Sequence, residues 1–289
     1  MKVKFGKMHG AGNDFIIVDD HTMRFPLSDR AWIKRICSLH SGIGAEGLIL
    51  LQPSDKASFR MRFFNPDGLE AEMCGNGVRC AARFANDDGI AAREMTIQTM
   101  AGILRASITD NGVRVAMPVL PGVRLNFPVQ VAGRSIMCSF INTGVPHVVV
   151  ETDDLEAVDL NHIGPLLRWH KDFAPQGANI DYLGVSGDHS LRVRTYERGV
   201  EAETFACGTG ITACAIIAAM LNKVTPPVRV KCRHGDMLEV DFKKSGNDVE
   251  DITLLGPAMR VFQGEISYQE SPKAQRHPAF VAKGFTTAE

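Results

Sequence analysis

The sequence predicts an α+β chain built from two copies of one structural unit. Three observations lead there. Strand-like segments greatly outnumber helical ones; the alternation of strand and long helix that a parallel, doubly wound sheet needs is missing; and one strand–turn–cysteine–helix segment occurs twice, about half a chain apart. A length of 289 residues suits one large domain or two modest ones, and 45% apolar with 22% charged residues is ordinary globular composition. Lys+Arg number 32 and Asp+Glu 33, a formal net charge of -1, so nucleic acid and anionic lipid are disfavoured as partners.

Taken in order, residues 1–6 alternate as a strand, and Phe15-Ile16-Ile17-Val18 is a short apolar strand ending at Asp19-Asp20. Ser28 is placed to cap a helix from about Asp29, with Trp32, Ile33, Ile36, Cys37 and His40 at helical spacing until Ser41-Gly42 stops it. Strands follow at 48–51 and 59–63, then an alanine-rich helix around Ala81, Ala82, Phe84 and Ala85 that closes near Gly89. Residues 95–99 read as a strand and 103–117 as a hairpin turning at Asn111-Gly112. Pro118-Val119-Leu120-Pro121-Gly122 breaks the pattern and marks the domain boundary, with 1–118 as the first domain and 119–263 as the second. Further strands are expected at 135–140, 147–151, 180–185 and 191–196, a helix at 209–221, and a hairpin of 228–232 with 237–242. Residues 271–289 show little periodicity.

No run approaches the length of a membrane span, and the first residues lack the apolar core of a secretory signal. Seven cysteines, an odd number spread along the chain, do not form a disulfide framework, so a reducing cytoplasm is the expected compartment. The glycine-rich stretches His9-Gly10-Ala11-Gly12-Asn13-Asp14 and Gly42-Ile43-Gly44 show only that the backbone turns sharply near polar groups.

The repeat carries the chemistry. One copy ends Glu70-Ala71-Glu72-Met73-Cys74-Gly75-Asn76-Gly77, the other Glu201-Ala202-Glu203-Thr204-Phe205-Ala206-Cys207-Gly208-Thr209-Gly210, and 133 positions separate the two cysteines. Like units facing each other about a pseudo-two-fold axis would set Cys74 against Cys207. A glycine-rich helix start leaves amide N–H groups free to hold a carboxylate and to lower the pKa of a neighbouring thiol. A thiolate on one face of a carbon and a thiol on the other can invert a stereocentre without a cofactor. Cys80 and Cys214, among alanines, read as core, and Cys37, Cys138 and Cys232 as structural. Three other uses stay open: zinc binding, which the wide cysteine spacings disfavour; a redox dithiol; and a non-catalytic amino-acid-binding module.

These motifs, with Met8-His9-Gly10-Ala11-Gly12-Asn13-Asp14-Phe15, Gly42-Ile43-Gly44-Ala45-Glu46-Gly47, Phe64-Asn65-Pro66-Asp67-Gly68, Pro146-His147, Gly177-Ala178-Asn179 and Glu197-Arg198-Gly199, resemble the diaminopimelate epimerase family, in the family's order, up to about residue 266. The resemblance implies two pseudo-symmetric domains, each a strongly curved mixed or antiparallel sheet around a central helix, the first completed by a segment returning from about 264 to 289. It implies epimerisation of LL-2,6-diaminopimelate to the meso isomer in lysine biosynthesis, without cofactor or metal, by a cytoplasmic homodimer. Cys74 and Cys207 match the catalytic pair, and His147 and Glu197 the residues that tune the thiols. Asn13, Asn65, Asn179, Glu197 and Arg198 match substrate contacts, and Gly75, Asn76, Gly208 and Thr209 the helix starts that hold the reacting carboxylate. Two positions depart from many relatives: Gly47 stands in place of glutamine and Val145 in place of asparagine. They leave room for a sibling racemase acting on another amino acid such as histidine.

Overall fold

β-branched and aromatic residues recurring at alternate positions make this chain a strand former over most of its length. The computed structural model describes residues 1–270 apart from 72, 73, 119, 234 and 247. Within them the first half runs β1 (Lys2–Gly10), β2 (Asn13–Asp19), α1 (Arg30–Cys37), β3 (Leu48–Gln52), β4 (Phe59–Phe64), β5 (Glu70–Ala71), α2 (Gly75–Asp87), β6 (Glu94–Thr99), β7 (Gly102–Thr109) and β8 (Gly112–Ala116). The second runs β9 (Leu120–Val131), β10 (Arg134–Asn142), β11 (Pro146–Glu151), α3 (Leu160–Arg168), β12 (Asn179–Gly187), β13 (Ser190–Glu197), β14 (Ala202–Thr204), α4 (Gly208–Met220), β15 (Val228–Lys231), β16 (Met237–Ser245) and β17 (Asp248–Gly256). β18 (Met259–Ser267) follows.

The two halves repeat the same pairing. β1 and β2 are antiparallel, as are β10 and β11. β2 runs parallel to β3 as β11 does to β12, and β4 parallel to β6 as β13 does to β15. The antiparallel run β6–β7–β8 matches β15–β16–β17. β18 lies along β1 as β9 lies along β10, so the first unit is finished by a strand from the far end of the described chain. β8 and β17 join the units, with Ala116 opposite Thr253. The sequence-predicted fold class, two pseudo-symmetric α+β domains with curved mixed sheets around central helices, is the fold observed.

Each sheet wraps one helix. α2 lies against β1–β4, β7 and β8, and α4 against β10–β13 and β15–β17. Their inner faces share a single core: Val78, Ala81 and Ala85 of α2 pack into the same cluster as Ile211, Ala215 and Ile216 of α4. α4 is apolar all round because every residue of it but Met220 is buried. Burying each of its isoleucines is worth about 1.5–3 kcal/mol. α1 and α3 cover the outer faces over smaller clusters built on Trp32, Ile33 and Ile36, and on Leu160 and Leu167.

Several local expectations shift. Asp29, not Ser28, caps α1, its carboxylate accepting from Trp32 N–H at 3.0 Å. The helix stops at Cys37, before His40, where the amides of Ile43 and Gly44 both take the Ile36 carbonyl. Thr109 pairs with Gly112, so the hairpin loop is Asp110-Asn111 and Gly112, at φ 139°, opens β8. The Pro-rich break gives way to β9 from Leu120 onward, where Pro128 is tolerated because β9 pairs only with β10 among the described residues. α3, β17 and β18 were not anticipated. Gly164 and Pro165 hide α3, yet Gly164 is where the ring of Tyr196 packs. The 271–289 segment, Glu72-Met73 of the first repeat and His234 of the second hairpin lie outside the described residues.

Candidate active site

The first cysteine of each repeat ends an extended approach and begins a helix. Cys74 is the N-cap of α2 (φ -129°, ψ 117°) and Cys207 the N-cap of α4 (φ -110°, ψ 107°), and neither makes a side-chain capping bond. The helix starts meet: a Cβ placed on Gly75 would lie 4.0 Å from the Gly208 Cα. Two positive helix ends therefore converge on one spot, with glycines leaving room for a bound group.

Asparagines stitch the halves together. The Cys74 thiol donates to Asn13 Oδ1 at 3.3 Å, which also accepts from Asn76 Nδ2 at 3.3 Å. Asn76 Nδ2 reaches across to the Ala206 carbonyl at 3.0 Å, one residue before Cys207. Asn13 Nδ2 donates to Glu46, which fixes the asparagine with its carbonyl toward the thiol. On the other side Cys207 Sγ and Thr209 Oγ1 share a hydrogen bond at 3.3 Å, and the Thr143 hydroxyl donates to the Thr209 carbonyl at 3.0 Å.

His147 and Asp181 are both wholly buried, and His147 Nδ1 donates to Asp181 Oδ2 at 2.7 Å. Thr195 donates to the other carboxylate oxygen at 2.7 Å. This arrangement leaves His147 Nε2 to accept from Asn179 Nδ2 at 3.4 Å, and Asn179 Oδ1 accepts from the Arg198 amide at 2.7 Å. Gly210 is needed here for space, since a Cβ on it would collide with Asp181 Oδ1.

Burial decides the state of both thiols. It pushes Cys74 up to about 11, Glu197 adds to the shift, and the Gly77 and Asn76 amides with Arg79 act against it. Cys207 stands well above its ordinary value because of burial, Glu197 and Asp181, opposed by the Thr209 hydroxyl and the Gly210 amide. The expectation that the helix starts lower the thiols is thus corrected: their N–H groups pull in that direction, and desolvation outweighs them. Burial also raises Glu197, with Asp181 and Glu46 adding and the Thr204 hydroxyl and His147 opposing.

Of the sequence-predicted residues, Cys74, Gly75, Asn76, Asn13, Cys207, Gly208 and Thr209 form the meeting point; His147, Asn179 and the Arg198 backbone form a second hydrogen-bonded group, and Glu197 acts on both thiols. Asn65 is exposed on the turn after β4, where its backbone pairs with Leu69 and Gly68. Asp181, Thr195, Thr143 and Glu46 were missed as site residues. A signal existed for one of them: Asp181 is an acid two residues from Asn179 in an otherwise apolar strand. Gly47 is fixed by packing, because a Cβ there would run into the Phe63 ring. Cys80 and Cys214 are fully buried, as read from the sequence, and Cys37, Cys138 and Cys232 are buried too. Among the described residues no group of three His, Cys, Asp or Glu side chains is placed to hold a metal ion, and no helix is long and apolar enough to cross a membrane.

Comparison with known proteins agrees with the geometry. The family model described as Diaminopimelate epimerase matches residues 5–119 and 139–261. The diaminopimelate epimerase of Aquifex aeolicus is 39% identical over 276 residues, covering 92% of this chain and 98% of that one. That of Methanocella arvoryzae is 40% identical over 279 residues, covering 92% and 97%. Among solved structures, a PhzF-family phenazine biosynthesis protein of Bacillus anthracis superposes with a TM-score of 0.71 at 17% identity, over 93% of this chain and 100% of that one. A hydroxyproline epimerase of Agrobacterium vitis gives 0.67 at 17% identity, over 94% of each. These two show the shared fold alone, whereas the matches over nearly the whole sequence place the chain in the diaminopimelate epimerase family.

Proposed function

We propose that the protein interconverts LL-2,6-diaminopimelate and its meso isomer by proton transfer between two cysteines, with no cofactor. The observation that carries this reading is the convergence of two cysteine-capped helix starts from equivalent places in the two halves. The α-carboxylate of the substrate sits between the amides of Gly75-Asn76 and Gly208-Thr209. There the helix ends stabilise the negative charge that grows on the carboxylate as the α-proton leaves. One cysteine, as thiolate, takes that proton, and the other, as thiol, delivers its own to the opposite face. The released product leaves the two sulfurs with their protonation states exchanged, ready for the reverse reaction. Burial of both sulfurs holds the thiol form in favour, so the thiolate that takes the proton is a strong base.

His147 and Glu197 adjust the Cys207 side, and Asn13 orients the Cys74 thiol. Asn65, Asn179, Glu197 and Arg198 hold the amino groups and the distal carboxylate, for which the Arg198 guanidinium is the matching cation. The half-buried Val145 adds no side-chain hydrogen bond to that set. The reading extends to a cytoplasmic homodimer in lysine biosynthesis whose domains divide near residue 118.

Proton NMR of LL-diaminopimelate in deuterated water with reduced protein tests the function. The expected result is enzyme-dependent α-deuterium incorporation together with the meso isomer. Folded, reduced protein that gives neither, and instead exchanges another amino acid such as histidine, overturns the substrate.

A further inference from the structure

α2 carries Arg79 into the seam between the halves, where its side chain is 0% exposed. Its Nε donates to the Pro257 carbonyl at 3.3 Å and its Nη2 to Asn76 Oδ1 at 2.8 Å, while Nη1 is buried without a hydrogen-bond partner. No carboxylate pairs with it among the described residues. The ionisable groups around it are the thiols of Cys80, Cys74 and Cys232, with Asp236 acting from further off. A buried cation with no anion beside it is costly, and such a charge is expected where an anion forms during function.

The contact with Asn76 has a second effect. With its carbonyl turned to Arg79, the Asn76 amide must present its N–H groups to Asn13 Oδ1 and to the Ala206 carbonyl. Reversed, it would set oxygen against oxygen at both places. One side chain therefore fixes the polarity of a hydrogen-bonded bridge between the two cysteine-bearing loops.

We propose that Arg79 is a positioning residue for the proton transfer, one that orients Asn76 between the two cysteine loops and supplies the buried positive charge that a thiolate at Cys74 requires. The proposal rests on the epimerase reading for what the thiolate does. The opposing pulls on Cys74 agree with it, since Arg79 is the one charged side chain among them that favours the thiolate.

Alkylation of the full-length protein by iodoacetamide, without substrate, tests it, with mass spectrometry reading Cys74 and Cys207 separately. Only a thiolate reacts, so at about pH 8.5 Arg79→Gln should slow Cys74 at least about fivefold, while Arg79→Lys, which keeps the charge, stays within about twofold of the parent. A role limited to packing would loosen the helix start and leave Cys74 unchanged or faster, and that outcome overturns the proposal. Equal slowing in the two variants overturns it as well, as does loss of the folded circular dichroism spectrum in both. No diaminopimelate is used, so a wrong substrate assignment shows in the NMR experiment and not in this one.

Discussion

The two cysteine-bearing loops share a backbone plan and differ in their charges. Cys74 is half-buried, bonds to an amide oxygen, and has an arginine one turn along its helix; Cys207 is buried, bonds to a hydroxyl, and feels Asp181 as well as the Glu197 carboxylate that acts on both thiols. α2 reaches the surface at its C-terminal end, through Arg83, Asn86 and Asp87, whereas α4 is enclosed up to Met220. A duplicated frame places the two cysteines at equivalent helix starts, and the residues around each differ. Burial raises both thiols, and Asp181 and the Thr209 hydroxyl act on Cys207 while Arg79 acts on Cys74.

The severest way to break the comparison is to delete one sulfur. Cys74→Ala and Cys207→Ala should each lower isomer formation by about 10²–10⁴-fold, the usual worth of a positioned acid or base, with substrate binding retained by calorimetry. Near-normal turnover in either variant would end the two-thiol mechanism. Asp181→Asn probes the second loop alone. It removes a charged hydrogen-bond partner from His147, worth about 1.5–3 kcal/mol, so kcat should fall by about 10- to 150-fold with little change in KM. An unaffected kcat would detach the His147–Asp181 pair from catalysis.

Alkylation sharpens the contrast between the sulfurs. Below about 11 the Cys74 thiolate fraction grows roughly tenfold per pH unit, so its reaction with iodoacetamide should climb from pH 7 to 9 without a plateau and exceed that of Cys207. Equal rates would mean that the acids near Cys207 do not distinguish the pair. The smallest effect belongs to Thr209→Val, which loses a hydroxyl and keeps its shape. A neutral hydrogen bond of about 1 kcal/mol corresponds to roughly a fivefold fall in kcat/KM.

The cysteines were legible because the repeat that holds them is local: a strand, a turn and a helix start are contiguous in sequence. The asparagines were legible through the motifs around them. The partnership of Asp181 with Thr195 was not, since it exists only once β12 and β13 pair and place them opposite each other. His147 meets Asn179 for the same reason, through the parallel register of β11 and β12. Glu46 lay inside a quoted motif, but its bond to Asn13 depends on how the loop before β3 folds back over β2. Strands β17 and β18 were missed because acids, Gln263 and Gly264 interrupt their apolar alternation. The net effect of burial on the thiols was missed because desolvation is a property of the assembled core and not of a helix start.

The return of β18 to β1 also bears on how the molecule is made. A chain leaving the ribosome exposes β1 early and must keep that strand unpaired on one side until β18 has been synthesised. The unit from β9 to β17 is contiguous and is finished sooner, although it begins later. The strands of the second half are thus all available before β18, and the first half gains its pairing partner for the outer edge of β1 only when β18 has been made. The units that carry Cys74 and Cys207 are joined through β8 and β17, so the two sulfurs meet only after β17 has been made, whereas β18 adds the outer strand of the first sheet.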